Sequence, residues 1–128
     1  MNIRFEGKAK VIADFESYNV VTDLDKSIGG ESEGLNPFQL FLVSLSCCTG
    51  LFARQYMEKH GIALADKHIE VTFDFDDSSD LRGVNIKLFV GNNFPADNET
   101  PLINAMKVCK VKKHLRTDID FRYEIIRK

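Results

Sequence analysis

The sequence predicts a single α+β domain that covers residues 1–128 and is built around one long helix. Apolar and polar residues alternate strictly over Ile69–Phe75, which is typical of a half-buried strand. Residues Phe38–Ala53 are apolar almost all round a helix, which is typical of a helix covered on every side. A chain of 128 residues, 44% of them hydrophobic, is long enough to form one domain with its own core.

The N-terminal third of the chain predicts strands followed by a loop. Lys10–Phe15 and Tyr18–Thr22 are short β-rich runs that favour an antiparallel hairpin, and Asn2–Phe5 can add a third strand. Polar residues and the pair Gly29-Gly30 predict an exposed, mobile loop over Asp23–Leu35. The glycine pair lacks the spacing of phosphate-binding loops, so a nucleotide site is not expected.

The long helix is predicted from Pro37 to His60. Asn36 can cap free backbone donors, proline suits the first helical position, and Gly61 ends the helix. A chain of this size offers about one sheet of four to six strands, which covers one side of a helix. We therefore predict a homodimer with this helix at or near the interface. The alternative is that a helix beginning at Pro101 and the loops cover it within one chain.

The C-terminal half predicts two strands, a short helix and a last strand. The strands Ile69–Phe75 and Val84–Val90 flank a polar hairpin loop. Thr100-Pro101 repeats the signal for a helix start, and Ile119–Ile126 alternates as a closing strand. The element order is therefore strands, helix, strands, helix, strand.

Composition argues against several classes of function. A net charge of −2 gives no field that attracts nucleic acid or an anionic membrane, so neither partner is expected. Met1–Lys10 is too polar for a secretory signal, and Phe38–Ala53 is too short to span a bilayer, so a cytoplasmic location is expected. The three histidines are scattered and no C-x-x-C pair occurs, so no metal or other cofactor is expected.

The three cysteines, an odd number without an export signal, predict thiols rather than a disulfide framework. Cys47 and Cys48 point about 100° apart on a helix, and periodicity does not decide which one faces a site. Each can simply be a small core residue, which we favour for Cys47. Cys109 would lie on the inner face of the short helix, and nearby cations would favour its thiolate. These cations, which can equally be a solvated face, are Lys107, Lys110, Lys112, Lys113 and His114.

Several segments together resemble the OsmC/Ohr family: Asn19-Val20-Val21-Thr22-Asp23, Gly29-Gly30, Asn36-Pro37-Phe38-Gln39-Leu40 before Cys48, and Ala105-Met106-Lys107-Val108-Cys109. The likeness covers nearly the whole chain. It implies an intertwined homodimer in which antiparallel sheets from both subunits wrap two long central helices.

The resemblance also implies an activity, the reduction of organic hydroperoxides. Cys48 would attack the peroxide and become a sulfenic acid, and Cys109 would resolve it as a disulfide that an external dithiol reduces. Apolar side chains would form the substrate pocket, namely Phe38, Phe41, Leu45 and Phe52. One alternative is a non-catalytic dimer that binds a small apolar ligand there, and another is that all three cysteines are structural.

Two features depart from the pattern of peroxidatic members. In those proteins a glutamate follows the helix-start proline and holds an arginine of the preceding loop that stabilises the thiolate, whereas this chain has Phe38. No arginine occurs between Arg4 and Arg54. Cys48 also lies about 18 Å from the helix N-terminus, beyond the reach of the helix dipole. We therefore expect burial to raise the pKa of Cys48, unless the other subunit supplies a cation.

Overall fold

The computed structural model describes residues 1–128 as two compact units, 1–44 and 45–128. The first unit holds strands β1 (Asn2–Glu6), β2 (Lys10–Phe15) and β3 (Tyr18–Thr22). Helix α1 (Pro37–Lys59) begins in the first unit and continues into the second. The second unit further contains β4 (His68–Phe75), β5 (Leu81–Val90), α2 (Glu99–Met106) and β6 (Asp120–Arg127). The predicted α+β class is confirmed.

The first unit is an antiparallel sheet in the order β1-β2-β3. β2 pairs with both neighbours, so Ile12 lies opposite Arg4 on one side and Val21 on the other. Ile12 is the buried hydrophobic residue of this sheet. The predicted hairpin and the additional N-terminal strand are both present.

The loop after β3 is organised around a buried carboxylate. Asp23 is 2% exposed and accepts hydrogen bonds from three backbone N–H groups, at 2.8 Å from Leu24 and at 3.1 Å from both Glu31 and Glu33. Gly30 is also buried, and a Cβ there would lie 1.8 Å from the Leu24 carbonyl oxygen, so only glycine fits. Most of the loop is exposed, as predicted, but Asp23 and Gly30 are buried because backbone N–H groups of the loop bond the Asp23 side chain.

We expect Asp23→Asn to lower the thermal stability of the protein. Oδ2 of Asp23 accepts hydrogen bonds from the Glu31 and Glu33 N–H groups. An amide nitrogen in its place is itself a donor and cannot accept them. The hydrogen bond from the Glu33 N–H has the largest effect on the pKa of Asp23. Together with the other backbone bonds it lowers this pKa, although burial raises it. The stabilisation is therefore present above the unfolded-state pKa and is lost as the pH falls through the lower folded-state pKa.

Thermal unfolding at pH 7 and at pH 3 tests this expectation. The gap between wild type and variant should narrow at the lower pH, because protonation of Asp23 weakens the wild type as well. Asp77→Asn is the matched control, since Asp77 is exposed. Equal unfolding temperatures for Asp23→Asn and Asp77→Asn at pH 7 would contradict the role of Asp23.

Both ends of α1 have the predicted signals. The Asn36 side chain accepts the Gln39 N–H at 2.8 Å, and the Gln39 side chain accepts the Asn36 N–H at 2.9 Å, a reciprocal capping box. At the other end Gly61 has a φ of 66° and the Ile62 N–H bonds the Met57 carbonyl at 2.8 Å. This left-handed cap ends the helix at Lys59, one residue before the predicted His60.

Much of the apolar surface of α1 is not buried within one chain. The buried residues form a stripe at i, i+4 spacing: Leu45, Thr49, Ala53 and Met57. Phe38, Val43 and Leu51 remain 50%, 41% and 52% exposed. By length and composition alone α1 could also cross a bilayer, which is weak evidence because core helices of soluble proteins meet the same criterion.

The sheet of the second unit is mixed. Its order is β4-β5-β6, with β4 antiparallel and β6 parallel to β5. The expectation of a single sheet with four to six strands is wrong, since the chain forms two sheets of three strands. An all-antiparallel arrangement is wrong for β6, because α2 and its flanking turns carry the chain back to the end at which β5 begins.

The core of the second unit lies between the sheet and the two helices. One face of β5 is buried completely, and its residues are Val84, Ile86, Leu88 and Val90. They cluster with residues of both helices, namely Leu45, Ala53 and Met57 of α1 and Leu102 and Met106 of α2. Each such side chain contributes about 1.5–3 kcal/mol by leaving water. This core joins the part of α1 from Leu45 onward to α2 within the second unit.

Candidate functional site

The second unit brings Cys48 and Cys109 together. Cys48 lies half-buried on α1, next to the buried stripe of that helix. Cys109 is completely buried and follows α2 by three residues. Its predicted place on that helix is wrong, because α2 starts at Glu99, two residues before Pro101, and ends at Met106. The turn after the helix nevertheless keeps Cys109 in the same core as Leu102 and Met106.

The two thiols share a hydrogen bond. This bond lowers the pKa of Cys48 and raises that of Cys109, so it favours the ionised form of Cys48 with Cys109 as the donor. The three cysteines are not joined in disulfides. A thiol in contact with a thiolate is the arrangement from which a disulfide forms once the thiolate has been oxidised.

Backbone amides after Cys109 surround the sulfur pair. The N–H groups of Val111 and Lys110 interact with the Cys48 sulfur and lower the pKa of that thiol. The next N–H, that of Lys112, donates to the Cys109 sulfur at 3.4 Å. Successive N–H groups that converge in a turn form an anion-binding concavity, and we call residues 110–112 the amide turn. The amide turn therefore interacts with both sulfurs through backbone N–H groups.

The pKa of Cys48 lies below that of an ordinary cysteine. Burial alone raises it, but the N–H of Val111, the Cys109 thiol, the N–H of Lys110 and the Lys110 charge together outweigh burial. The predicted rise is therefore wrong. That prediction considered only side-chain cations and the helix dipole, whereas the stabilising groups are mainly backbone donors of a distant segment.

The pKa of Cys109 is shifted in the opposite direction. Burial and the hydrogen bond to Cys48 raise it, and the Lys112 N–H and the Thr49 hydroxyl offset this in part. The prediction that neighbouring lysines favour its thiolate is wrong, because burial and the charge of Cys48 prevail. The two shifts are opposite, so the Cys48 thiol loses its proton more readily than the Cys109 thiol.

Cys47 is exposed, so the core position favoured for it is wrong in this chain. The buried stripe of α1 runs through Leu45 and Thr49, and Cys47 lies on another side of the helix. Sequence periodicity left the choice between Cys47 and Cys48 open. In the structure Cys48 packs against the core of the second unit, whereas Cys47 does not.

The predicted pocket residues differ in their surroundings. In the first unit Phe38 is half exposed and stacks on the half-buried Phe41, with ring centroids 5.9 Å apart. In the second unit Leu45 is completely buried in the core and Phe52 is half-buried. A substrate pocket formed by all four therefore stays a prediction.

Two side chains at the pair, Thr49 and Tyr123, were not identified from the sequence, whereas Lys112 was predicted to lie near Cys109. The Thr49 hydroxyl donates to the Leu45 carbonyl at 3.2 Å and lies near enough to Cys109 to lower the pKa of that thiol slightly. Lys112 lies 4.5 Å from the ring centroid of Phe121. Burial raises the pKa of Tyr123 to about 12, with a smaller contribution from Cys109. The position of Thr49 one residue after Cys48 is the only sequence signal that could have indicated any of them.

No group of three or more His, Cys, Asp or Glu side chains is placed to hold a metal ion. The site therefore consists of two sulfurs, the amide turn and the nearby hydroxyl of Thr49. Its chemistry is that of two neighbouring thiols whose pKa values are shifted in opposite directions. The fold and this site define an α+β protein with a paired-thiol centre.

Comparisons with known proteins identify the family. The model of the OsmC-like protein family matches residues 29–124, and the chain therefore belongs to that family. No curated protein sequence matches the chain.

Solved structures share the fold. One is a protein of Psychrobacter arcticus 273-4 that is provisionally assigned to the osmotic stress and detoxification response. It matches with a TM-score of 0.76 at 19% sequence identity, and the match covers 99% of this chain and 93% of that chain. An organic hydroperoxide resistance protein OsmC from Legionella pneumophila has a TM-score of 0.62 at 18% identity over 97% and 93%. An organic hydroperoxide resistance protein from Elizabethkingia anophelis has a TM-score of 0.62 at 16% identity over 99% and 94%.

Proposed function

We propose that this OsmC-like protein reduces organic hydroperoxides with Cys48 as the attacking thiolate and Cys109 as the resolving thiol. The observation that carries the proposal is the asymmetric contact between the two sulfurs, with a lowered pKa at Cys48 and a raised pKa at Cys109. The names of the related Legionella and Elizabethkingia proteins support the choice of substrate.

The first step oxidises Cys48. Its thiolate attacks the terminal peroxide oxygen, the O–O bond breaks, and the alkoxide takes a proton from water and leaves as an alcohol. Cys48 becomes a sulfenic acid while the peroxide is reduced by two electrons. The half-buried Phe52, four residues after Cys48 on α1, would favour a bulky organic hydroperoxide over hydrogen peroxide.

The second step joins the two sulfurs. The Cys109 sulfur attacks the Cys48 sulfur, the S–O bond breaks, and the hydroxide leaves as water with the Cys109 proton. The product is a Cys48–Cys109 disulfide. An external dithiol then reduces it by thiol–disulfide exchange and is itself oxidised, which completes the cycle.

Intact mass spectrometry tests the proposal. After one equivalent of cumene hydroperoxide under denaturing, thiol-blocking conditions, we expect the wild type to lose about two mass units, the two hydrogens of one disulfide. Peptide mapping should find the peptide that contains Cys48 linked by a disulfide to the peptide that contains Cys109. A fully reduced protein with no turnover alongside a dithiol would contradict the proposal and favour the non-catalytic dimer that binds an apolar ligand.

We further propose that the functional form is a cytoplasmic homodimer of single-domain chains with α1 at the interface. Exposed apolar residues support this, since Phe38, Val43 and Leu51 are 50%, 41% and 52% exposed on one helix. Large apolar side chains left exposed along a helix are typical of a protein–protein contact.

Leu51→Glu should shift the protein from dimer to monomer. A buried, unpaired carboxylate at the interface costs several kcal/mol, enough to raise the dissociation constant by about 100-fold or more. Sedimentation velocity over a range of concentrations measures the change. Thr72→Glu, at an exposed position of β4, adds the same charge as a control. A wild type that stays monomeric at all concentrations would contradict the dimer.

A further inference from the structure

A basic pocket next to the sulfur pair has no part in the proposed reaction. It has a volume of about 300 Å³ and lies between the turn after α2 and the start of β6. Its basic residues are Lys107, Lys112, Lys113 and Arg116. Its apolar residues are Leu115, Ile119 and Phe121. We call this cleft the lysine pocket.

The positive charge in the lysine pocket is largely uncompensated. No Asp or Glu lines it. Arg116 is already paired, at 2.6 Å with Asp118 and at 3.7 Å with Asp80. The lysines that form ion pairs, Lys10 and Lys87, are in other parts of the chain. The three lysines of the pocket therefore share a small volume without a counter-ion.

Lys112 is held in place inside this group. Its Nζ lies 4.5 Å from the ring centroid of Phe121 and 5.3 Å from that of Tyr123, with the Tyr123 hydroxyl at 3.5 Å. Burial and the charge of Lys107 lower the pKa of Lys112. The aromatic rings fix the position of the ammonium group, and a bound anion would relieve the repulsion between Lys112 and Lys107.

We propose that the lysine pocket binds a small organic anion, with a carboxylate or phosphate head on Lys112 and its neighbours and a short apolar body against Leu115 and Ile119. Uncompensated ammonium groups favour the head, and the apolar part of the lining distinguishes such a ligand from an inorganic ion. A volume of about 300 Å³ suits a ligand of few carbon atoms.

The site would be coupled to the sulfur pair through Lys112. This residue contributes its side chain to the pocket and its backbone N–H to the Cys109 sulfur at 3.4 Å. A ligand bound to the Lys112 ammonium group would therefore contact the same residue whose backbone N–H bonds the Cys109 sulfur. The inference does not depend on the proposed peroxidase activity, because binding is measured on the reduced protein without peroxide.

Nuclear magnetic resonance titration at constant ionic strength tests the site. The probes are hexanoate, hexyl phosphate, inorganic phosphate and neutral hexanol. We expect hexanoate or hexyl phosphate to shift the backbone amides of residues 112–117 in a saturable way, and to bind at least tenfold more tightly than hexanol and inorganic phosphate. Equal binding of hexanol or of inorganic phosphate, or no saturable shift with either hexyl probe, would overturn the proposal.

Matched variants locate the binding charge. Lys112→Met and Lys113→Met should each weaken the binding of the better hexyl probe by about tenfold, because each removes a charge-assisted contact. Lys112→Arg keeps the charge and should retain binding, which separates a loss of charge from a loss of packing on the rings. Lys87→Met, outside the pocket, should have no effect. Unchanged affinity in both Lys112→Met and Lys113→Met would overturn the assignment.

Discussion

Cys48→Ser should lower the turnover of cumene hydroperoxide in the presence of a dithiol by on the order of 10³-fold or more. Serine keeps the size of the side chain but has no thiolate at neutral pH, so the first oxidation step is lost. Losses of this size are usual when a nucleophile is removed. Consumption of the hydroperoxide, followed in a coupled assay, measures the effect.

Cys109→Ser separates the two chemical steps. The first oxidation should still occur, but the sulfenic acid has no resolving thiol and should be seen by mass spectrometry as a gain of about 16 mass units, or about 32 after further oxidation. Cys47→Ser is the control, because Cys47 is exposed and lies outside the pair. Equal turnover in Cys48→Ser and Cys47→Ser would contradict the assignment of Cys48.

Val111→Pro should raise the pKa of Cys48. Proline removes the N–H that lowers this pKa, and a hydrogen bond to a charged group is worth about 1.5–3 kcal/mol. Since Cys48 is only half-buried, the lower end of that range applies. The φ of Val111 is −59°, which proline adopts without strain.

The pH dependence of alkylation by iodoacetamide measures this pKa. Below the pKa the variant should react roughly tenfold more slowly than the wild type, because its thiolate fraction is lower. Val111→Ala keeps the N–H and should leave the profile unchanged, and Lys110→Met isolates the contribution of the Lys110 charge. Circular dichroism confirms that the variants are folded. A profile for Val111→Pro that coincides with that of Val111→Ala would contradict the role of the amide.

The amide turn suggests how a thiolate can be stabilised in a chain that departs from the family pattern at Phe38. The usual glutamate and arginine pair acts through side chains of the helix start and the preceding loop. Here the donors are N–H groups of Lys110 and Val111, which come from the other cysteine's segment. Backbone donors require no particular side chain, so the substitution at position 38 does not remove them.

The sequence by itself determined the elements that depend on local chemistry. The alternation of Ile69–Phe75 predicted β4, and the Asn36 cap and Gly61 predicted both ends of α1 within one residue. The family resemblance implied that Cys48 and Cys109 act as a pair, and their catalytic roles stay a prediction. Both residues lie at the same core cluster. Local signals succeed at these places because capping and side-chain alternation act over a few neighbouring residues.

Only the tertiary structure decided the orientation and charge of the site. Cys48 rather than Cys47 lies beside the core. Helix α2 ends before Cys109, so Cys109 lies in the turn that follows. The N–H groups of the amide turn lie next to the sulfurs. Each of these depends on contacts between segments about 60 residues apart in sequence, which no local pattern specifies. The lowered pKa of Cys48 follows from those contacts and is opposite to the shift that burial alone produces.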